Sequence, residues 1–227
     1  MAGTSPATDA SGGRARRGRF ITLEGGEGTG KTTQAKLLAE TLRQRGIEVQ
    51  LTREPGGAPG AEAIRALLLQ GTLDRWDAAT ETLLHFAARR DHIVRMIGPA
   101  LEEGHWVVCD RFVDSTRAYQ GYGHGIDQGW IDTLFRRVAE GLVPDLTVVL
   151  DIPVEQGLER AGRRAAGADR YESLDLGFHD RVRRGFLAIV RAEPNRCIVL
   201  DARPDIDAVH RELAFAVRGR LLERAEG

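Results

Sequence analysis

Gly25-Gly26-Glu27-Gly28-Thr29-Gly30-Lys31-Thr32 is the stretch whose reading decides the fold. It matches G-x-x-x-x-G-K-[ST], the phosphate-binding P-loop. The apolar run Phe20 to Glu24 precedes it and a helical pattern, Lys31 to Arg45, follows it. Strand, loop and helix in that order are what the motif requires. Its glycines let the backbone aim N–H groups at phosphate oxygens. A helix N-terminus near Lys31 adds a dipole that favours anions. The expected ATP-binding set is Gly25, Gly26, Glu27, Gly28, Thr29, Gly30, Lys31, Thr32 and Thr33. Within it, Lys31 is expected to span the β- and γ-phosphates, and the Thr32 hydroxyl to ligate Mg²⁺.

Working outward, four more apolar runs read as strands: Val49 to Arg53, Trp106 to Asp110, Leu146 to Asp151 and Cys197 to Asp201. They are nearly continuous rather than alternating, as in a parallel sheet covered on both faces. Helical patterns lie between them over Ala61 to Gln70, Ala78 to Glu103 (Pro99 marking a kink or restart), Ile131 to Glu140, Val154 to Arg164, Leu176 to Ala192 and Ile206 to Arg224. The alternation predicts an α/β, three-layer P-loop NTPase fold: a five-stranded parallel sheet with helices on both faces. Ligands in such folds bind at the carboxyl ends of the strands. Asp110, at one such end, is the candidate Walker-B carboxylate, holding the metal with Thr32.

Composition narrows the class. The chain has 227 residues and a formal net charge of −1, so no global positive field draws in nucleic acid. No run approaches the roughly 18 apolar residues of a membrane span. Residues 1–18 lack the apolar core of a secretory signal and read as a disordered tail, leaving 19–227 as one domain. Cys109 and Cys197 sit in apolar runs without metal-ligand spacing, so they read as core thiols in a reducing cytoplasm. Of 32 basic residues only Lys31 and Lys36 are lysines, which singles out Lys31 and excludes the Asn-Lys-x-Asp motif of guanine-specific GTPases. A P-loop with these features still fits a kinase of any small acceptor, or a regulator that binds ATP without turnover.

Three further motifs narrow the choice: Thr52-Arg53-Glu54-Pro55-Gly56-Gly57, Asp110-Arg111-Phe112 and Ser115-Thr116-Arg117-Ala118-Tyr119-Gln120-Gly121. With the P-loop and Pro144 to Thr147, they resemble thymidylate kinases of the bacterial type, whose lid is rich in arginine. The resemblance spans about residues 19–215. It implies a nucleoside monophosphate kinase that transfers phosphate from ATP to thymidine monophosphate (dTMP), with Mg²⁺ as cofactor, and a homodimer packed through long helices. Carried over by position, Arg53 and Arg111 would grip the acceptor phosphate, which suits the fork of a guanidinium. Glu27 would meet the sugar 3′-hydroxyl or a metal-bound water. Arg89 would bond thymine O4, and Thr116, aided by Ser115, the N3 edge, with Gln120 also among the substrate-binding candidates. Tyr119 would exclude a 2′-hydroxyl. The family usually stacks a phenylalanine on the base; here that position is His85, beside Phe86, and either ring could serve. A lid over about 159–171 carries Arg160, Arg163, Arg164 and Arg170; Arg160 and Arg164 are taken, with Lys31 and Arg111, as catalytic candidates.

Overall fold

A computed structural model describes residues 17–72, 74–163 and 170–222 of the chain. Of the expected tail over 1–18, residues 1–16 lie outside the described residues, while Gly18 is buried and its N–H bonds Leu101 O; Arg164 in the lid and the side chain of Arg170 also lie outside. Five parallel strands form one sheet: β1 (Phe20–Glu24), β2 (Val49–Arg53), β3 (Trp106–Asp110), β4 (Leu146–Asp151) and β5 (Cys197–Asp201), in the spatial order β2-β3-β1-β4-β5. All five coincide with the apolar runs read from the sequence. β1 lies at the centre with every residue buried, flanked by β3 and β4. A strand buried on both faces needs an unbroken apolar run, which is why Phe-Ile-Thr-Leu-Glu does not alternate. The one hydroxyl inside it is satisfied: Thr22 and Thr147 share a 2.8 Å hydrogen bond across β1 and β4.

Helices cover both faces. On one side α1 (Lys31–Arg43) and α9 (Ile206–Val217) bury Leu38, Leu42, Leu213 and Val217 against Ile21, Leu23, Val108 and Val148. On the other, α3 (Ala78–His92), α4 (Gly98–Glu102) and α6 (Gln128–Ala139) bury Phe86, Leu101, Ile131 and Phe135 against Phe20, Val107 and Cys109. The remaining helices are α2 (Pro59–Leu69), α5 (Val113–Thr116), α7 (Val154–Gly162) and α8 (Leu176–Ala192). Aspartates start four of them. Asp77, Asp127, Asp175 and Asp205 each accept a hydrogen bond from a backbone N–H of the first turn, satisfying donors the helix leaves unpaired.

The structure refines the expected elements, most clearly in three places. The pattern over Ala78 to Glu103 breaks, as Pro99 signals, but the break begins earlier. After α3 the chain widens into a π-turn, Ile93–Ile97, in which the Gly98 N–H bonds Ile93 O, and α4 restarts with Pro99 in its first turn. Proline has no N–H to give a preceding turn, so the restart places it where none is needed. Second, α6 begins at Gln128 rather than Ile131, because Asp127 caps it. Third, the segment after β3 is helical: α5 runs into a π-helix, Arg117–Gly123, that carries the Ala-Tyr-Gln-Gly motif.

This layering makes a stability prediction. Leu23→Ala empties space at the fully buried centre of β1 and should cost about 2–5 kcal/mol. Phe215→Ala, at a side chain 70% exposed, should change stability by no more than about 0.5 kcal/mol. Denaturant unfolding of both variants checks the contrast.

Candidate active site

A cleft of about 630 Å³ opens at the carboxyl ends of β1, β2 and β3. The P-loop forms one wall. Gly28 there has φ 66°, and a Cβ on it would lie 1.9 Å from the Gly157 carbonyl of α7. Reciprocally, a Cβ on Gly157 would lie 2.5 Å from Glu27 O. Only glycine fits either position. Lys31 is buried, and its Nζ donates to Gly26 O (2.6 Å) and Thr29 Oγ1 (3.2 Å). Burial and the neighbouring Arg111 push its ammonium down to about 8, against the pull of Glu27, Asp110 and Glu24. Thr32 Oγ1 lies 2.5 Å from Asp110 Oδ2, while the buried Asp110 Oδ1 has no hydrogen-bond partner among the described residues. A hydroxyl beside a carboxylate with a spare oxygen is a fitting donor set for a hard divalent cation that keeps most of its waters.

Arg111 joins this wall to the opposite one. Its φ is 69°, and its Nη1 donates to Gly25 O and Ser115 Oγ, both 3.1 Å. Nη2 reaches Glu27 Oε1 (3.0 Å) and Tyr119 OH (3.2 Å). Tyr119 donates to Glu27 Oε1 at 2.6 Å, and its ring lies 5.0 Å from the guanidinium carbon of Arg111. Burial alone would raise the Glu27 pKa, but Arg111, Lys31 and the Tyr119 hydroxyl outweigh it and hold the carboxyl at about 2. Glu24 reads from the sequence only as a strand end. Its Oε1 accepts from the backbone N–H of Phe112 (2.8 Å) and Ser115 (3.3 Å), and its Oε2 from Ser115 Oγ (2.6 Å). Burial and Asp114 push it up to about 8. An acid that ends a fully buried strand just before the P-loop was the available signal.

The far end of the cleft holds Arg89, Thr116, Gln120 and His85. Arg89 is 2% exposed and lies between two rings, with its guanidinium carbon 4.9 Å from Phe86 and 5.2 Å from Phe112. Phe86 therefore supports Arg89 from within the core and does not line the cleft. His85, one residue earlier on α3, does line it, with Nε2 3.1 Å from Tyr171 OH. Burial, then Arg89 and Arg111, push His85 down to about 3, so the ring is neutral at pH 7. Gln120 Nε2 donates to the buried Glu81 (2.9 Å). Arg53 stands at the rim, half-exposed, 3.0 Å from Glu62. Arg160 also borders the cleft, but its guanidinium is committed to the carbonyls of Ala202 (2.7 Å) and Arg203 (2.9 Å) rather than to the P-loop.

Known proteins resemble this chain over nearly its whole length. A sequence profile described as thymidylate kinase matches residues 23–213. A thymidylate kinase of Caulobacter vibrioides is 54% identical over 205 residues, 90% of this chain and 98% of that protein. One of Nitrobacter winogradskyi is 49% identical over 224 residues, 98% of this chain and 95% of that protein. A crystal structure of thymidylate kinase from Ehrlichia chaffeensis superposes with a TM-score of 0.72 at 39% identity, covering 88% of this chain and 99% of that one.

The depressed pKa of His85 has a measurable consequence. Its folded value, about 3, lies below its ordinary 6.5, so its contribution to stability is present above about pH 6.5 and is lost as pH falls. Between about pH 7 and about pH 5 the unfolded chain gains a proton there that the native state does not. His85→Phe removes that difference, so its Tm should fall less than the parent's over the same interval. Equal pH slopes in the two melts would show that the imidazole is not held neutral.

Proposed function

The chain belongs to the thymidylate kinase family, and we propose that it transfers the γ-phosphoryl group of ATP to the phosphate of dTMP, giving ADP and thymidine diphosphate. The observation that carries this reading is Arg111. It touches the P-loop at Gly25 O and faces, with Arg53, a single cleft of about 630 Å³ that runs from Lys31 to Arg89.

In this mechanism Lys31 exchanges Gly26 O for the β- and γ-phosphate oxygens of ATP. Thr32 and Asp110 would hold Mg²⁺, which supplies neutralisation of charge on those phosphates. Arg53 and Arg111 fix the acceptor phosphate in line, and Glu27 keeps Arg111 oriented until it binds. The acceptor oxygen forms a bond to the γ-phosphorus as the bridging P–O bond to ADP breaks. With a second pKa near 6, like that of phosphoserine, the acceptor is already anionic at pH 7, so no general base is needed. Alignment and charge neutralisation provide the rate. Arg89, Thr116, Ser115 and Gln120 read the base, His85 forms the wall beside it, and Tyr119 fills the space of a 2′-hydroxyl. Of the two lid candidates, Arg160 would have to leave the carbonyls of Ala202 and Arg203 to reach the transferring group.

Two finer readings accompany this one. Leu83 and Val94 are both about half-exposed and lie roughly three turns apart along α3 and its π-turn, which supports a homodimer packed through that face. Both cysteines are free and buried, and no helix among the described residues is long and apolar enough to cross a membrane; both facts suit a cytoplasmic enzyme.

An acceptor screen tests the activity. ADP release should be fastest with dTMP; faster turnover of another nucleoside monophosphate or of dephospho-coenzyme A would replace the assignment. Lys31→Ala should lose at least about a hundredfold in kcat while its melting curve stays close to the parent's. Near-normal turnover in that variant would remove the P-loop from the chemistry.

A further inference from the structure

Behind the acceptor end of the cleft lies a hydrogen-bonded chain of buried side chains from β2, α3 and α5. Thr52 Oγ1 is 2.8 Å from His92 Nε2. His92 Nδ1 is 3.0 Å from Glu54 Oε1. Glu54 Oε2 accepts from Arg89 Nε at 2.8 Å, and Arg89 Nη2 donates to Thr116 Oγ1 at 3.1 Å. Glu54, Arg89 and Thr116 line the cleft; Thr52 and His92 do not. A carboxylate only accepts, so Nδ1 is the donor to Glu54, and Nε2 is left to pair with the Thr52 hydroxyl, which suits either role.

The backbone is shaped around this chain. Gly57 has φ 86°, and a Cβ there would lie 2.4 Å from His92 Nε2 and 2.5 Å from Thr52 Oγ1. The loop after β2, which also carries Arg53, thus closes directly over the imidazole. The geometry also shows what the imidazole does. A carboxylate held at one oxygen can still turn about its last side-chain bond. With its second oxygen pinned by His92, Glu54 sets the plane of the guanidinium it holds. Phe86 and Phe112 confine that guanidinium on either side. The fork keeps donors to spare: only Nε and Nη2 are bonded, and the buried Arg89 Nη1 has no hydrogen-bond partner among the described residues.

We infer that His92, touching no substrate itself, is a positioning residue for base discrimination. By locking Glu54 it fixes the Arg89 fork, so that the donor edge lining the cleft beside Thr116 faces a carbonyl oxygen at position 4 of the acceptor pyrimidine and not an amino group there. The inference rests on the reading that Arg89 meets the base, so its test includes Arg89.

The experiment compares steady-state kinetics for dTMP, deoxycytidine monophosphate and ATP in His92→Leu, His92→Asn, Thr52→Val and Arg89→Ala. His92→Leu keeps apolar bulk but removes both bonds. The dTMP KM should rise about tenfold or more, ATP KM should stay within about twofold, and preference for dTMP over deoxycytidine monophosphate should fall about tenfold. His92→Asn retains a donor near Nδ1 and should recover most of that preference. A merely structural histidine would instead lower Tm in both variants and leave the preference intact, and that result overturns the inference. Should His92→Leu fail to fold, Thr52→Val decides: a rise of about twofold to fivefold in dTMP KM alone supports the relay, and no change overturns it. If Arg89→Ala weakens dTMP while His92→Leu changes nothing, the relay alone is wrong. If Arg89→Ala also leaves dTMP unaffected, the base assignment falls with it.

Discussion

Glu24 ends the central strand without contact with water, and its two oxygens collect three donors from the turn that follows β3. Much of the site depends on that arrangement. The turn carries Arg111 in a left-handed conformation that an arginine adopts only when its surroundings enforce it. Arg111 in turn holds Glu27, and Glu27 holds Tyr119. Two strands adjacent in the sheet but 86 residues apart in the chain are thereby joined through side chains above the sheet edge. The phosphate loop and the opposite wall are positioned against each other by one buried carboxyl group and one guanidinium.

A second buried acid anchors the same helical segment from below. Asp114 takes both Arg196 Nη1 (2.7 Å) and Nη2 (2.9 Å), together with Arg117 Nη1 (2.9 Å). Burial opposes its ionisation, but Arg196 and Arg117 hold its pKa below the ordinary value. Removing either partner from such a group is costly, because it strands a charge in a low-dielectric interior. The Arg89–Glu54 pair follows the same rule near the cleft. Arginine suits these places because its fork satisfies two acceptors at once without losing its proton.

How much of this was legible in the sequence depended on how local each cause is. All five strands were readable, because burial on both faces imposes continuous apolar runs. The P-loop was readable because its chemistry is contiguous. Pro99 marks the restart of α4, whereas the start of α6 three residues before its apolar period is set by the Asp127 cap. The helical nature of 113–123 was missed because the motif was read for chemistry alone. At the site, Arg89, Thr116 and Tyr119 came from family resemblance. The choice between His85 and Phe86 turns on helix phase: neighbours on α3 lie about 100° apart, so one faces the cleft and the other the core. Glu24, Glu54 and His92 have roles that exist only through partners 35 to 91 residues away, which no local pattern shows. Arg160 carried the right charge, but nothing local reveals that two loop carbonyls occupy it.

The contact between Gly28 and Gly157 carries one more consequence. A methyl group on Gly28 would strike the Gly157 carbonyl and one on Gly157 the Glu27 carbonyl, so the floor of the phosphate loop and the first half of α7 form a single seam with no slack for drift. A side chain at either position would prise the helix off the loop. Because α7 runs from that seam to Gly162, the seam also fixes the height at which the chain leaves the phosphate loop and continues to Arg163.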